Sequence, residues 1–125
     1  MVLVVDGMGW ADSRKNKSDL FYLDKLLGFL KRDEVMFVKS VHDINFIMRY
    51  SVHISLAIIL LGKSVFISQR CLGVDPFSIC NLVRSKGIDV VVLKNTTDRI
   101  NFGKSLVYDF TPEMLIKLIE NQSGS

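Results

Sequence analysis

Aspartates follow five short apolar segments of this 125-residue chain, and carboxylates in such positions can bind a metal ion or orient a polar ligand. Each segment has the valine-, isoleucine- and leucine-rich composition of a β-strand. If the strands are parallel, these aspartates gather at the carboxyl edge of the sheet, where α/β folds bind ligands. The pairs are Val2–Val5 with Asp6, Val35–Val38 with Asp43, Val65–Ile67 with Asp75, Val90–Leu93 with Asp98, and Leu106–Tyr108 with Asp109.

Asp6 is the sharpest single candidate, because Gly7 and Gly9 follow it and allow a tight turn that a ligand can approach closely. The segment from Gly7 to Asp12 has two of the three glycines of the dinucleotide-binding fingerprint. However, Asp12 occupies the third position, and the predicted helix begins too late to offer its N terminus to a pyrophosphate. This pattern argues against NAD binding, and a Walker lysine motif is also lacking. The alternative interpretation of Asp6-Gly7 is an ordinary turn.

A magnesium site is a second possibility at the same edge. Asp6, Asp43 and Asp98 could share one ion if the first, second and fourth strands are near neighbours, since Mg²⁺ is held by a few carboxylate oxygens completed by water and phosphate. A structural explanation competes with this one. Asp43 and Asp75 can be helix caps, and Asp109 can simply end a strand.

Basic residues are expected at this edge as well. Lys39, Arg70 and Lys94 fall at or just after the ends of the second, third and fourth predicted strands. Aspartates and cations around glycine-containing turns favour a phosphorylated or nucleotide-type ligand over an apolar one. The predicted ligand-binding residues are Asp6, Gly7, Gly9, Lys39, Asp43, Arg70, Lys94 and Asp98.

Other reactive side chains do not identify a reaction. His42 and His53 form no recognisable catalytic pair with a nucleophile, so no catalytic residue is assigned. Cys71 and Cys80 lack the spacing of a zinc site or a disulfide framework, and reduced thiols in a cytoplasmic protein are expected. Trp10 could stack on a base or cap the hydrophobic core.

The opening residues also carry a resemblance. Val4-Val5-Asp6-Gly7 is similar to the first strand of PIN and NYN ribonuclease domains, in which this aspartate contributes to a magnesium site. The similarity covers these residues, and Met8-Gly9 stands where NYN domains commonly have an asparagine. The resemblance implies a magnesium-dependent nuclease as an alternative function, with Mg²⁺ as its cofactor.

Helix signals alternate with the strands. Ser18 as N-cap and a leucine repeat predict a helix over 19–32. An apolar run predicts a second helix over 53–61, with strand as a minority alternative, ended by Gly62 in a left-handed conformation. A third strand is expected over 64–68. Proline after a capping residue then predicts two helix starts, at Asp75-Pro76 (ending near Lys86-Gly87) and at Thr111-Pro112.

This alternation predicts a single-domain, Rossmann-like three-layer sandwich over residues 1–122, with a mostly parallel five-stranded sheet, helices on both faces and a flexible tail at 123–125. A hydrophobic fraction of 49% and a mean hydropathy of +0.30 indicate a globular domain. No stretch approaches the ~20 apolar residues that span a membrane, and the N terminus does not have the pattern of a signal peptide.

The net charge and the apolar content indicate which kinds of molecule the chain could bind. A net charge of +3 permits a phosphorylated ligand or a nucleic acid without requiring either. The apolar excess is explained by strands buried on both faces or by a surface covered in a homo-oligomer. The sequence therefore leaves three hypotheses: a domain that binds a phosphorylated or nucleotide-type ligand, a magnesium-dependent nuclease, and a non-catalytic oligomeric interaction module.

Overall fold

The computed structural model describes residues 1–10, 17–43, 49, 51–97, 99 and 101–123. Strands and helices alternate along most of this part of the chain, and single 3-10 turns lie at Val41–Asp43 and Ser51–His53. The strands are β1 (Val2–Gly7), β2 (Val35–Val38), β3 (Leu56–Leu61), β4 (Asp89–Lys94) and β5 (Leu106–Asp109). The helices are α1 (Lys17–Lys31), α2 (Val65–Leu72), α3 (Pro76–Ser85) and α4 (Pro112–Ser123).

All five strands run parallel in the order β2-β1-β3-β4-β5. The three central strands consist almost entirely of buried aliphatic residues, as expected for parallel strands covered on both faces. Their register places Val5 opposite Ile59, and Ile59 opposite Val92. The predicted parallel α/β architecture is confirmed.

Helices cover both faces of the sheet, so the predicted three layers are also confirmed. On one face, α2 and α3 bury Leu72, Ile79 and Val83 against the sheet. On the other face, α1 contributes Leu26 and Phe29, and α4 contributes three further residues, Leu115, Ile116 and Ile119. No helix in the described part of the chain combines the length and the apolar character needed to cross a membrane.

The prediction of a helix over 53–61 is wrong, and the strand considered as the alternative is correct for most of this segment. Residues Leu56–Leu61 form β3, the central strand of the sheet, and all six are buried. A strand buried on both faces has no polar alternation, so hydrophobic periodicity alone does not distinguish it from a buried helix. Gly62 accordingly does not end a helix and does not adopt the expected left-handed conformation.

The prediction of a strand over 64–68 is wrong as well. Ser64 is the N-cap of α2, and its hydroxyl accepts a hydrogen bond from the Ile67 N–H at 3.1 Å. The helix ends at Gly73, whose left-handed φ of 76° closes it with a bond to the Gln69 carbonyl. Because one missed strand and one false strand offset each other, the predicted number of five strands is still correct.

The proline-based helix starts are confirmed. Asp75 caps α3 by accepting a hydrogen bond from the Phe77 N–H at 2.9 Å, and Thr111 accepts one from the Met114 N–H at 3.1 Å. Helix α1 is also confirmed, but it begins at Lys17, one residue before the predicted cap, and Leu27, which belongs to the leucine repeat that predicted this helix, is exposed. Helix α4 includes Ser123, the first residue of the predicted tail.

Candidate functional site

The strand order reverses between β1 and β3. From β1 the chain proceeds to β2 on one side, whereas from β3 it proceeds to β4 on the other. Loops that leave the carboxyl ends of two such strands diverge and open a crevice, which is where doubly wound sheets bind ligands. Here Gly7 lies opposite Leu61, so the loop after Asp6 and the loop after Leu61 border the crevice.

Asp6 is buried and orders the loop that follows β1. Its Oδ1 accepts hydrogen bonds from the N–H groups of Met8, at 3.3 Å, and Trp10, at 3.1 Å. Only 2% of Asp6 is exposed, and Gly9 turns the loop with a φ of 68°. These contacts are those of a carboxylate that organises a turn, which is the alternative interpretation of the Asp6-Gly7 pair.

Gly7 is required by packing within the protein. A Cβ added at this position would lie 2.5 Å from the Leu60 carbonyl oxygen and 3.2 Å from Leu72 Cδ1. The backbone of β1 therefore passes against β3 and α2 at a distance that only glycine permits. This packing contact alone explains why position 7 is a glycine, and no bound ligand is needed to account for it.

The loop after β3 contains a lysine that the sequence reasoning did not select. Gly62 donates its N–H to the buried Ser68 hydroxyl at 2.8 Å, which ties the start of this loop to α2. Lys63 follows and is exposed, and Ser64 then caps α2. The sequence does contain a six-residue apolar run, Leu56–Leu61, directly before Gly62-Lys63-Ser64. Because that run was predicted to be helical, Lys63 was not recognised as a residue that follows a strand.

Lys94 is the last residue of β4, as predicted, and is half-buried. It pairs with Leu61 of β3 on one side and with Asp109 of β5 on the other. Its carbonyl accepts a hydrogen bond from Phe110 at 2.9 Å, and Asn95 donates to the Leu61 carbonyl at 3.0 Å. These bonds hold the end of β4 beside the loop that carries Lys63.

Lys39 and Asp43 lie at the carboxyl end of β2, on the side of β1 away from β3. The Lys39 N–H donates to Asp43 Oδ2 at 3.1 Å. Asp43 lies in the 3-10 turn at Val41–Asp43 and closes the end of β2 through this bond. Both residues follow the strand as predicted.

Arg70 does not follow a strand. It lies on the exposed surface of α2, with its guanidinium carbon 5.0 Å from the centre of the Phe66 ring. The prediction that placed it at the end of the third strand fails because that strand is a helix. Asp98 lies outside the described residues.

Among the described residues, no group of three histidine, cysteine or carboxylate side chains could hold a metal ion. Asp6 and Asp43, two of the three predicted ligands, each accept backbone hydrogen bonds in their own loops. Asp75 is a helix cap, one of the two roles considered for it. Because Asp98, the third predicted ligand, lies outside the described residues, the magnesium site stays a prediction.

Trp10 belongs to the hydrophobic core. It is 3% exposed and meets Phe110 edge to face, with ring centroids 5.8 Å apart and planes inclined at 69°. Of its two predicted roles, capping the core is the one that this position fits, because a buried indole has no open face for a base.

Comparison with known proteins identifies no relative, since no protein-family model, no curated protein and no solved structure matches the chain. The functional argument therefore rests on the crevice and its charges. In the spatial order β2-β1-β3-β4, three of these four strands have a lysine at or just after their carboxyl end, at positions 39, 63 and 94. With strands about 4.8 Å apart, the ends of β2 and β4 are separated by about 14 Å.

Proposed function

We propose that this protein binds a phosphorylated small molecule, such as a nucleotide, in the crevice between the carboxyl ends of β1 and β3. Lys63 and Lys94 supply the positive charge, and the first N–H groups of α2 supply hydrogen-bond donors. The observation that supports the proposal is the reversal of strand order between β1 and β3, with the Gly62-Lys63-Ser64 turn at the end of β3 and Lys94 at the end of the adjacent β4.

The start of α2 contributes donors that the helix itself cannot use. In any helix the first N–H groups lack an intrahelical partner. Ser64 occupies the N–H of Ile67, which leaves those of Val65 and Phe66 at the crevice end of the helix. Such donors, together with the positive end of the helix dipole, favour a phosphate group.

The two lysines make an anion a better ligand than a neutral molecule. Lys63 is exposed in the loop after β3, and Lys94 is half-buried at the end of β4; the two strands are adjacent and about 5 Å apart. Two cations at neighbouring strand ends repel each other, and an anion bound between them would offset this repulsion. A phosphate satisfies both, and Lys39, on the far side of β1, lies within the span of a nucleotide-sized molecule.

Asp6, Gly7 and Gly9 have a supporting role in this proposal. The Asp6 carboxylate fixes the backbone of the loop that forms one wall of the crevice. Gly62 lies against this wall, since a Cβ at Gly62 would be 3.5 Å from Met8 Cβ. The described part of this wall, residues 8–10, is thus held in place by Asp6 before a ligand arrives, which lowers the entropic cost of binding.

Thermal unfolding in the presence of ATP, GTP, sugar phosphates and inorganic phosphate tests the proposal. At a concentration 100 times the dissociation constant, a ligand adds about 2.7 kcal/mol to the unfolding free energy and raises Tm. The double variant Lys63→Ala/Lys94→Ala should lose this rise. Lys86→Ala is the control, because Lys86 is an exposed lysine at the carboxyl end of α3, which is far from the crevice.

Two results would refute the proposal. One is an unchanged Tm with every ligand at millimolar concentration. The other is a double variant that keeps the full ligand-induced rise, because binding would then not depend on the crevice lysines.

A further inference from the structure

Phe66 is a large aromatic side chain on the surface of α2. It is 64% exposed and belongs to neither of the two core clusters that the described residues form. The neighbouring Ile67 is also exposed, so the outer side of this helix carries an apolar patch. Because leaving such side chains in water forgoes the free energy of burying them, a patch of this kind points to a binding surface.

Arg70 holds the Phe66 ring from one side. Its guanidinium carbon lies over the ring, 5.0 Å from the ring centre. A cation–π contact of this kind restrains an exposed ring. Since Arg70 covers one face of a ring that is still largely exposed, the opposite face is open to a flat partner.

The ring lies at the end of α2 that borders the crevice. Phe66 is the second residue of the helix, and Lys63 precedes it by three positions. The Cα–Cβ bond of a helical residue is tilted toward the helix N terminus, so the Phe66 side chain is directed toward the turn that carries Lys63. An aromatic surface therefore adjoins the position proposed for the phosphate.

The charges on this segment select the kind of partner. Residues 62–74 contain two basic residues, Lys63 and Arg70, and no carboxylate. A neutral apolar partner makes no use of these cations, and a cationic partner is repelled by them. A planar aromatic group that is covalently attached to a phosphate fits both features, because it stacks on the ring while its phosphate meets the lysine.

We propose that the crevice ligand carries a nucleobase, and that the base stacks on the open face of the Phe66 ring. This inference rests on the proposed function, since the phosphate of the same molecule lies at Lys63 and Lys94. Every base has a π-face, so stacking favours nucleotides over other phosphorylated molecules without choosing among the bases.

Isothermal titration calorimetry with adenosine monophosphate (AMP), ribose 5-phosphate and inorganic phosphate tests the inference. Ribose 5-phosphate keeps the sugar and the phosphate of AMP and lacks only the base. The wild-type protein should bind AMP about tenfold more tightly than ribose 5-phosphate, a ratio within the range for one base on one aromatic side chain.

The variant Phe66→Leu removes the ring but keeps an apolar side chain at the surface. It should bind AMP only as tightly as ribose 5-phosphate, and its unchanged affinity for ribose 5-phosphate shows that the fold and the phosphate position are intact. Phe66→Tyr retains a ring and should keep the preference for AMP.

Tyr108→Leu is the matched control, because it removes another exposed aromatic ring. Tyr108 lies opposite Leu93 in the sheet, and Leu93 packs on the face covered by α1 and α4, away from α2. This variant should bind AMP and ribose 5-phosphate as the wild type does.

A base beside a phosphate occurs both in free nucleotides and in single-stranded nucleic acids. An oligoadenylate of about ten nucleotides, within the usual site size of single-strand-binding domains, distinguishes these two sources. Tighter binding of the oligomer than of AMP identifies a strand as the ligand, and equal or weaker binding identifies a free nucleotide. In either case Phe66→Leu should weaken the binding.

Equal affinities of the wild type for AMP and ribose 5-phosphate would overturn the inference, and so would a Phe66→Leu variant that keeps the preference for AMP. Both results leave the proposed function standing, because the phosphate still binds. If the wild type binds none of the three small ligands, the proposed function and this inference fail together.

Discussion

The backbone N–H of Gly62 donates a hydrogen bond to the hydroxyl of Ser68 across 2.8 Å, and this buried contact joins the end of β3 to α2. It replaces the hydrogen bond that Gly62 would make if β3 continued. The Ser68 hydroxyl therefore holds the start of the turn between the strand and the helix, and the Ser64 hydroxyl caps the helix at the end of this turn. Lys63, the central residue of the proposed crevice, lies in this turn and depends on it for its position.

Replacing Ser68 with alanine should destabilise the protein. Ser68→Ala leaves the buried Gly62 N–H without a partner, which costs about 1–3 kcal/mol. Urea unfolding should show a lower midpoint with an unchanged m-value. Ser78→Ala is the control, because Ser78 is exposed on α3 and alanine is the better helix former. Equal midpoints for Ser68→Ala and wild type would contradict the structural role of this bond.

Two glycine-to-alanine changes should have opposite effects. Gly7→Ala places a methyl group 2.5 Å from the Leu60 carbonyl and should lower the unfolding free energy by about 1–3 kcal/mol. Gly28→Ala meets nothing within 4 Å in α1 and should raise it by about 0.5–1 kcal/mol. Thermal unfolding of both variants measures the difference. If Gly7→Ala were as stable as wild type, β1 and β3 could not be as closely packed as described.

The alternation of strands and helices was predictable from the sequence because most elements carry strong local signals. Asp75-Pro76 and Thr111-Pro112 begin helices through caps that act within one turn. The segment Asp89–Lys94 is valine-rich, as buried parallel strands are. Such signals depend on neighbours in sequence, and a single chain displays them fully.

The region from Leu56 to Leu72 was not predictable in the same way, because tertiary contacts decide its structure. Leu56–Leu61 is uniformly apolar and buried on every side, a pattern that helices and strands share. Conversely, α2 exposes the large apolar residues Phe66 and Ile67, so its sequence lacks the polar face of a surface helix. Because helix and strand were interchanged in this region, Arg70 was predicted at the end of a strand where it does not lie, and Lys63 was not predicted at a strand end. The set of candidate site residues changed accordingly.

The cap of α3 should respond to the chemistry of the Asp75 side chain. Asp75→Ala removes the acceptor for the Phe77 N–H and should cost about 1 kcal/mol of unfolding free energy. Asp75→Asn keeps an acceptor oxygen and should cost much less. Urea titrations of the two variants side by side make the comparison. Equal losses in both would show that charge, and not capping, is the contribution of Asp75.

The buried thiol of Cys80 should make stability depend on alkaline pH. Burial raises the pKa of Cys80 from 9.0 to about 11, while nearby Arg84 opposes this shift. The folded protein therefore holds the thiol proton more tightly than the unfolded chain does. Its contribution to stability is complete below pH 9 and is lost as the pH rises toward 11, at a rate of about 1.4 kcal/mol per pH unit within that window.

Paired cysteine variants separate this effect from other titrations at high pH. Cys71→Ala keeps Cys80 and should lose stability more steeply between pH 9 and 11 than Cys80→Ala does. Cys71→Ala removes the exposed thiol and is the matched control for a cysteine-to-alanine change. Urea unfolding at closely spaced pH values gives both slopes. Parallel slopes would mean that the Cys80 thiol ionises as readily in the folded protein as in the unfolded chain.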